Sequence, residues 1–344
     1  MKEIFPAVVG NRDLCNRLAA DILADTLPHA LILEGPRGTG KHTVARLCAA
    51  ALLCESKKNP SLPVPCGSCS ACQKVLGGKS PDLILLGCDG KATIGVETVR
   101  FLREDVHVLP NDADKKIYVI EDADKMTHQA QNALLLTLEE PPAYVHFFLL
   151  CENAGSFLET IRSRAPVLRT ETLRTEQVDT YLRATDSRAA QLKLSDPKQY
   201  ADLLMASGGG IGRALDYLEP KAWNPVRQNR ASALELIRAA IRGEGARVIA
   251  PMITRMANQK RDPLRTQLLT VSDVLRDLIL LKKSDDAPLT FFADRAEAME
   301  LCDRVSLPFL YQFGAAVRNA LDELGRNAGV RLCLVKMALS AEIL

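Results

Sequence analysis

The sequence lacks a strong net charge and any long apolar run. Its 44 Lys and Arg residues against 42 Asp and Glu residues give a formal charge of +2. A chain so nearly balanced is not a polycation, so we expect nucleic acid to meet only a local basic patch. No apolar run approaches the roughly 20 residues that a membrane-spanning helix requires. The first residues also lack the apolar core of a signal peptide. We therefore expect a cytoplasmic protein with no membrane partner.

Internal repeats and low-complexity segments are also absent from the 344 residues. The length favours two or three domains. Short apolar runs alternate with helical patterns up to about Pro166, where the strand-like runs stop, and this alternation predicts a parallel sheet with helices on both faces. We predict an α/β domain over residues 1–168, a small helical domain over 169–222 and a helical C-terminal domain over 223–344.

A glycine-rich stretch, GPRGTGKHT, follows the apolar run HALILE and precedes a helical pattern. It matches the phosphate-binding loop G-x-x-x-x-G-K, in which backbone N–H groups and a lysine hold phosphates. The residue after the lysine is His42, where a magnesium-binding hydroxyl is usual, and imidazole is a poor ligand for magnesium. A glycine-rich turn without nucleotide is the alternative. The candidate nucleotide-binding residues are Gly35, Gly38, Thr39, Gly40, Lys41, His42 and Thr43.

A second apolar run, IYVI, ends in acidic residues. A phosphate-loop ATPase ends this strand with an Asp that holds magnesium, often followed by a Glu that orients water. Here the order is reversed, as Glu121 and then Asp122. The alternative is a strand that runs into a charged helix cap. Together with His42, the reversed order predicts weak or absent ATP hydrolysis.

Four of the ten cysteines crowd one stretch with the spacing C-x11-C-x2-C-x2-C. Two tight C-x2-C steps and a thiolate from the preceding helix can surround one ion as a tetrahedron. Because four cysteines leave no open coordination position, we predict a structural zinc ion in a module over residues 54–72. An iron–sulfur cluster and free buried thiols are the alternatives. The candidate ligands are Cys54, Cys66, Cys69 and Cys72.

Three further polar residues lie where a nucleotide site could use them. Arg164 follows the third apolar run, HFFLLC, and could stabilise phosphate charge across a subunit boundary. Asn153 ends that run and could bond a γ-phosphate or the attacking water. Arg213 opens a later helix and could reach the γ-phosphate from a lid. The alternatives are solvated arginines and a strand-end cap.

The phosphate loop, the four-cysteine insert, IYVIEDADKMTHQAQNALLLTLEEPP and TIRSRA together resemble the AAA+ clamp-loader subunits of bacterial DNA polymerase III. The resemblance covers about the first 215 residues closely, and GRNAGVRLCLVKMAL near the end is similar to the family's collar helix. It departs from the family at Ala165, where the finger motif Ser-Arg-Cys has cysteine, and at Leu136, where lysine is usual.

The resemblance implies a P-loop AAA+ domain with a zinc-binding insert, a small helical lid and an all-α collar. It implies a trans arginine finger at Arg164, degenerate metal-handling acids at Glu121 and Asp122, and nucleotide sensors at Asn153 and Arg213. It further implies structural zinc, weakly bound ATP or ADP, weak or absent intrinsic ATPase activity, and no polymerase active site.

The partners implied are gamma/tau motor subunits and delta in a hetero-pentamer, the sliding clamp, and primer-template DNA held through phosphate contacts. Within the family, Lys41-His42, Glu121-Asp122 and the absence of a long tail favour the delta prime type. A gamma/tau-type motor and a stand-alone P-loop nucleotide-binding protein are the alternatives.

Overall fold

The computed structural model describes residues 5, 8–57, 59 and 61–343. Outside the described residues lie the first positions of the predicted α/β domain, positions 58 and 60 of the predicted zinc module, and the last position of the chain. The chain divides into two compact units. One runs to Arg174 and includes Gly210–Arg213, and the other comprises Thr175–Gly209 and the chain from Ala214 onward. The division into three domains stays a prediction.

The first unit is built on a five-stranded sheet in the order β2-β3-β4-β1-β5, and every pairing is parallel. This confirms the predicted α/β class with a parallel sheet. Two short strands had no prediction, and the edge strand β5 follows Pro166, where strand-like runs were expected to stop. The strands are β1 (Ala30–Glu34), β2 (Leu83–Leu86), β3 (Lys116–Ile120), β4 (Val145–Cys151) and β5 (Val167–Arg169).

Helices cover both faces of this sheet, which explains why β3 and β4 are buried along their whole length. Side chains alternate between the faces of a strand. In β1, Leu31 and Leu33 pack with α1, α2 and α3, whereas Ala30 and Ile32 pack with α4, α5 and α6. The helices are α1 (Arg12–Leu23), α2 (Lys41–Leu52), α3 (Ser70–Leu76), α4 (Val96–Asp105), α5 (His128–Glu139) and α6 (Glu159–Arg162).

The second unit is helical throughout its described elements. Helices α11 to α16 share one apolar core, and α10 begins within the first unit. No helix in the described part of the chain has the length and apolar character needed to cross a membrane. The helices are α7 (Thr175–Thr185), α8 (Ser187–Ser195), α9 (Pro197–Ser207), α10 (Ile211–Tyr217), α11 (Pro220–Ile241), α12 (Gly245–Ala257), α13 (Arg261–Leu281), α14 (Arg295–Asp303), α15 (Leu307–Gly325) and α16 (Val330–Ser340).

Candidate functional site

The phosphate loop joins the end of β1 to the start of α2, the strand–loop–helix context that the sequence predicts. Gly38 and Gly40 have φ angles of +83° and +93°, a left-handed backbone that other residues adopt only at a cost. Gly40 directly precedes α2, so the first N–H groups of that helix face the loop. Such a turn before a helix N-terminus is a cradle for an anion and fits a phosphate group.

Lys41 is the first residue of α2 and is buried, with 7% of its surface exposed. Its Nζ donates hydrogen bonds to the carbonyl oxygens of Gly35, at 2.5 Å, and Pro36, at 2.9 Å. Burial lowers the pKa of Lys41, and the negative charge of Glu152 opposes that shift. The ammonium group therefore lies within the loop that it would share with a phosphate.

Two distant residues hold the loop in place. The side chain of Asn11 donates to the carbonyl of Thr39 at 3.2 Å and accepts from the N–H of Glu171 at 2.7 Å. The hydroxyls of Thr39 and Thr170 are 2.7 Å apart. A Cβ atom at Gly35 would collide with the Thr170 hydroxyl. The shape of the loop is thus fixed by residues from both ends of the first unit.

The start of α10 packs on the same loop. The N–H of Gly212 donates to the carbonyl of Gly38 at 3.0 Å. A Cβ atom at Gly38 would lie 2.5 Å from the backbone nitrogen of Arg213. Arg213, one of the predicted sensors, therefore has its backbone against the phosphate loop, and its side chain is half-buried.

The two residues that depart from the ATPase pattern contact each other. Nδ1 of His42 lies 2.9 Å from Oε1 of Glu121, so the imidazole and the carboxylate are in direct polar contact. Thr43 is exposed. Asp122 has a left-handed backbone with a φ of +48°, and its carboxylate accepts a bond from Lys125 at 2.8 Å. The side chains at the positions that hold magnesium in an ATPase therefore contact other side chains of the same chain.

Asn153 follows β4, beside the end of β1. Its side-chain oxygen accepts from the N–H of Gly155 at 2.8 Å, so it caps a short turn. The neighbouring Ala154 N–H donates to Glu34 at 2.9 Å, and Arg169 donates to the same carboxylate at 2.7 Å. These bonds hold the pKa of Glu34 below its usual value.

Arg164 lies on a short segment after α6 that is anchored by apolar side chains. Ile161 and Ala165 are fully buried, whereas the Arg164 side chain is 35% exposed. Nη2 of Arg164 lies 2.7 Å from Oε1 of Glu139. Nη1 donates to the carbonyl of Thr160 at 2.9 Å. The guanidinium is therefore held at the surface by two contacts.

The four predicted metal ligands come together. Their sulfur atoms all lie within 4.8 Å of one another, and those of Cys66 and Cys72 are 3.9 Å apart. Tetrahedral zinc with Zn–S bonds of about 2.3 Å needs sulfur atoms about 3.8 Å apart. The N–H of Cys69 points to the Cys66 sulfur at 3.3 Å, and that of Cys72 to the Cys69 sulfur at 3.4 Å. The cluster, completed by Cys54, fits one metal ion.

Ionisation of these thiols is uneven. Burial opposes ionisation of Cys66, but donors from Cys69 and Ser68 outweigh it and lower the pKa of Cys66 to about 6. Burial raises the pKa of Cys54 and of Cys72. A thiol must lose its proton to bind zinc. Cys66 is therefore the ligand that is most readily ionised among these three.

Several residues of the site carry no local motif and were not predicted. Asn11 and Thr170 hold the phosphate loop, Glu34 holds the turn after β4, and Glu139 contacts Arg164. Asn11 and Glu171 are 160 positions apart along the chain. Only a tertiary structure brings such pairs together.

Comparison with known proteins finds relatives that are named as subunits of DNA polymerase III. The family described as "DNA polymerase III, delta subunit" matches residues 10–174. DNA polymerase III subunit tau of Salmonella typhimurium is 31% identical over 269 residues, which is 72% of this chain and 40% of that protein. Subunit tau of Escherichia coli is 30% identical over the same shares of the two chains.

Among solved structures, a gamma subunit-related protein of DNA polymerase III from Thermotoga maritima aligns with 95% of this chain and 98% of its own. The TM-score is 0.39 and the identity 16%. This chain spans 40% of the length of the two tau subunits it matches. Through the family match and the two tau subunits, the chain is similar to clamp-loader subunits of DNA polymerase III.

Proposed function

We propose that this chain is a delta prime-type subunit of the DNA polymerase III clamp loader. It acts beside gamma/tau motor subunits and delta in a complex that places the sliding clamp on primed DNA, which the complex holds through phosphate contacts. Its own nucleotide site hydrolyses ATP weakly or not at all. It supplies Arg164 to the ATP site of a neighbouring motor subunit.

The contact between His42 and Glu121 carries the proposal. In phosphoryl transfer, magnesium is held by a hydroxyl after the loop lysine and by a carboxylate at the strand end. Here an imidazole and a longer carboxylate occupy those positions, and their nearest polar atoms lie 2.9 Å apart. Magnesium prefers oxygen ligands in octahedral geometry, so its binding would have to displace the imidazole from the carboxylate. That cost supports weak hydrolysis.

The phosphate-binding half of the site is intact. The left-handed Gly38 and Gly40 and the buried Lys41 keep the geometry of an anion cradle. ATP or ADP bound there would be held through its phosphates, with Lys41 and the N–H groups of α2 as donors. The intact phosphate-binding part and the altered magnesium-binding part are therefore both consistent with weak binding of nucleotide without hydrolysis.

The four cysteines support a structural zinc ion, because their sulfur spacing fits a tetrahedron and all four positions are filled. A closed zinc site stabilises the fold around it and leaves no position for substrate.

Two features of Arg164 support a role in trans. Its side chain is partly exposed, and its segment is anchored by the buried Ile161 and Ala165. An arginine finger must present its charge outward from a rigid base, because it stabilises phosphate charge in another subunit.

The test is the increment in ATPase rate that this chain adds to a complex of motor and delta subunits with clamp and primed DNA. Arg164→Ala should remove at least about nine-tenths of the increment, since arginine fingers are worth at least about a thousandfold at their site. Arg162→Ala, an exposed arginine two positions away, is the matched control and should keep it. Lys41→Ala in this chain should change the rate less than about twofold.

The gamma/tau-type motor is the second candidate, because Lys41 lies in the phosphate loop, the Arg213 backbone packs on it, and Asn153 follows the strand that pairs with β1. It requires that the purified chain hydrolyse ATP alone and that Lys41→Ala abolish this activity. A stand-alone nucleotide-binding protein would instead fail to enter the complex with motor and delta.

A further inference from the structure

We infer that Glu139 is the positioning residue for Arg164: its carboxylate orients the guanidinium that completes the neighbouring ATP site. The inference rests on the proposed function of Arg164. It assigns a role to a glutamate in the proline-bounded helix α5, for which the sequence alone indicated none.

The contacts of Arg164 leave donors for an anion. Nη2 bonds Glu139 at 2.7 Å, and Nη1 bonds the Thr160 carbonyl at 2.9 Å with a longer contact of 3.4 Å to the Ser163 hydroxyl. A guanidinium has five N–H donors in one plane. The contact to a carboxylate is charge-assisted and directional. Glu139 and Thr160 therefore fix that plane, while further N–H groups, including Nε–H, remain for a phosphate.

The position of Glu139 follows from the end of its helix. It is the last residue of α5, and Glu140 has left the helical backbone with φ −131° and ψ 65°. Pro141 and Pro142 follow, and a residue before proline is disfavoured in the helical conformation. A carboxylate at a helix C-terminus is unfavourable next to the negative end of the helix dipole. A cation such as Arg164 relieves that repulsion, which favours the pair.

The buried side-chain amide of Gln131 connects α5, which carries Glu139, to the segment before α6, which leads to Arg164. Gln131 in α5 donates to the carbonyl of Ser156 at 3.2 Å and accepts from the N–H of Leu158 at 2.8 Å. Leu134 of α5 and Ile161 of α6 are fully buried in the same core cluster. Glu139 and Arg164 therefore project from one well-packed body, so their separation is set before any partner arrives.

The pair is partly exposed, so its role in orienting Arg164 can be tested apart from any role in folding stability. The side chains of Arg164 and Glu139 are 35% and 43% exposed, and such ion pairs contribute little to folding free energy. Loss of Glu139 should therefore leave the thermal unfolding midpoint nearly unchanged. Its effect should appear in the rate at the neighbouring site, where small errors in geometry are costly.

The experiment measures the same ATPase increment in the full complex. Glu139→Ala should lower kcat of the increment about tenfold with an unchanged KM for ATP, because the arginine acts on the reaction step. Glu139→Gln keeps a neutral acceptor and should stay within about threefold of wild type. Glu140→Ala, the neighbouring exposed glutamate, is the matched control. Glu139→Ala combined with Arg164→Ala should be no slower than Arg164→Ala alone.

The outcomes separate this inference from the proposed function. If Arg164→Ala keeps the increment, the finger itself is wrong. If Arg164→Ala loses it but Glu139→Ala behaves like Glu140→Ala, only the positioning role is overturned. A larger ATPase increment with Glu139→Ala would also overturn it, because the carboxylate would then be keeping Arg164 away from the neighbouring ATP site.

Discussion

The cysteine cluster and the phosphate loop belong to the same unit but satisfy their polar groups in different ways. In the cluster, four sulfur atoms converge within 4.8 Å, and four thiolates so close repel one another without a cation. In the phosphate loop, Lys41 donates hydrogen bonds to loop carbonyls, and beside it His42 contacts Glu121.

This difference separates a site that depends on its ligand from one that does not. Four thiolates at this spacing would need a metal ion to lie together, so we expect metal binding and folding to be coupled there. The phosphate loop is held by Asn11, Thr170 and Gly212 whatever it binds. We therefore expect loss of the metal to affect stability, and loss of nucleotide to affect it little.

The largest expected effect comes from breaking the cluster. Cys69→Ser should release the bound zinc and lower the free energy of unfolding by at least about 4 kcal/mol, as loss of a structural metal does. Urea unfolding and metal analysis of the purified protein would measure both. Cys88→Ser, at a half-buried cysteine outside the cluster, is the control. A variant that loses zinc without losing stability would contradict the coupling.

Acid should destabilise the fold at a residue outside both sites. Burial lowers the pKa of His146 to about 4 from an ordinary 6.5. Between these values the unfolded chain binds a proton that the folded chain does not, so stability falls as pH falls from about 6.5 to 4, by up to about 3 kcal/mol. His146→Gln should flatten this dependence in urea unfolding.

The exposed His107 provides the control, since His107→Gln should leave the pH dependence intact. The His146→Gln variant should lack this effect of acid on folding stability. An effect of acid on nucleotide binding at the phosphate loop can therefore be measured separately in that variant. An unchanged slope in His146→Gln would assign the acid sensitivity to other groups.

A pair of glycines tests how rigidly the loop is built. Alanine at Gly38 must adopt a φ of +83° and bring its Cβ within 2.5 Å of the Arg213 nitrogen. Gly40→Ala has a φ of +93° but open space around its Cβ. We expect a cost of about 1 kcal/mol for Gly40→Ala and about 2–3 kcal/mol for Gly38→Ala, measured by urea unfolding. Equal losses of unfolding free energy in the two variants would mean that the start of α10 moves to accommodate the new Cβ atom at position 38.

The smallest effect concerns magnesium. Calorimetry of the wild-type chain should give the same ATP affinity with magnesium as with a chelator. The double variant of His42→Thr and Glu121→Asp supplies the missing hydroxyl and the shorter carboxylate, and it should bind ATP about tenfold more tightly when magnesium is present. A wild-type chain that already shows such a preference would contradict the role given to the His42–Glu121 contact.

The sequence predicted the parts of the unit whose signal is local. Strands β1, β3 and β4 contain short but distinct apolar runs, and the cysteine spacing and the glycine-rich loop are compact motifs. Strand β5 has three residues, of which only Leu168 is buried, so it carries no apolar run to detect. Its existence depends on pairing with β1 across the chain.

The candidate site shows the same limit. His42 and Glu121 were each identified as a departure from the ATPase pattern, but their contact was not. Arg164 was identified by its place after β4, whereas its partner Glu139 lies in another helix. Side-chain pairs of this kind depend on helix ends and packing, which a single sequence does not specify.

The contact between His42 and Glu121 also has an evolutionary consequence. Restoring threonine at position 42 alone would leave Glu121 without its partner, and restoring aspartate at position 121 alone would leave an imidazole at the magnesium position. Neither single step restores both residues of the ATPase pattern, the hydroxyl after the loop lysine and the shorter carboxylate at the strand end. If the proposed function holds, the effect of each substitution depends on the other, so we expect a gain of ATP hydrolysis to need both changes together.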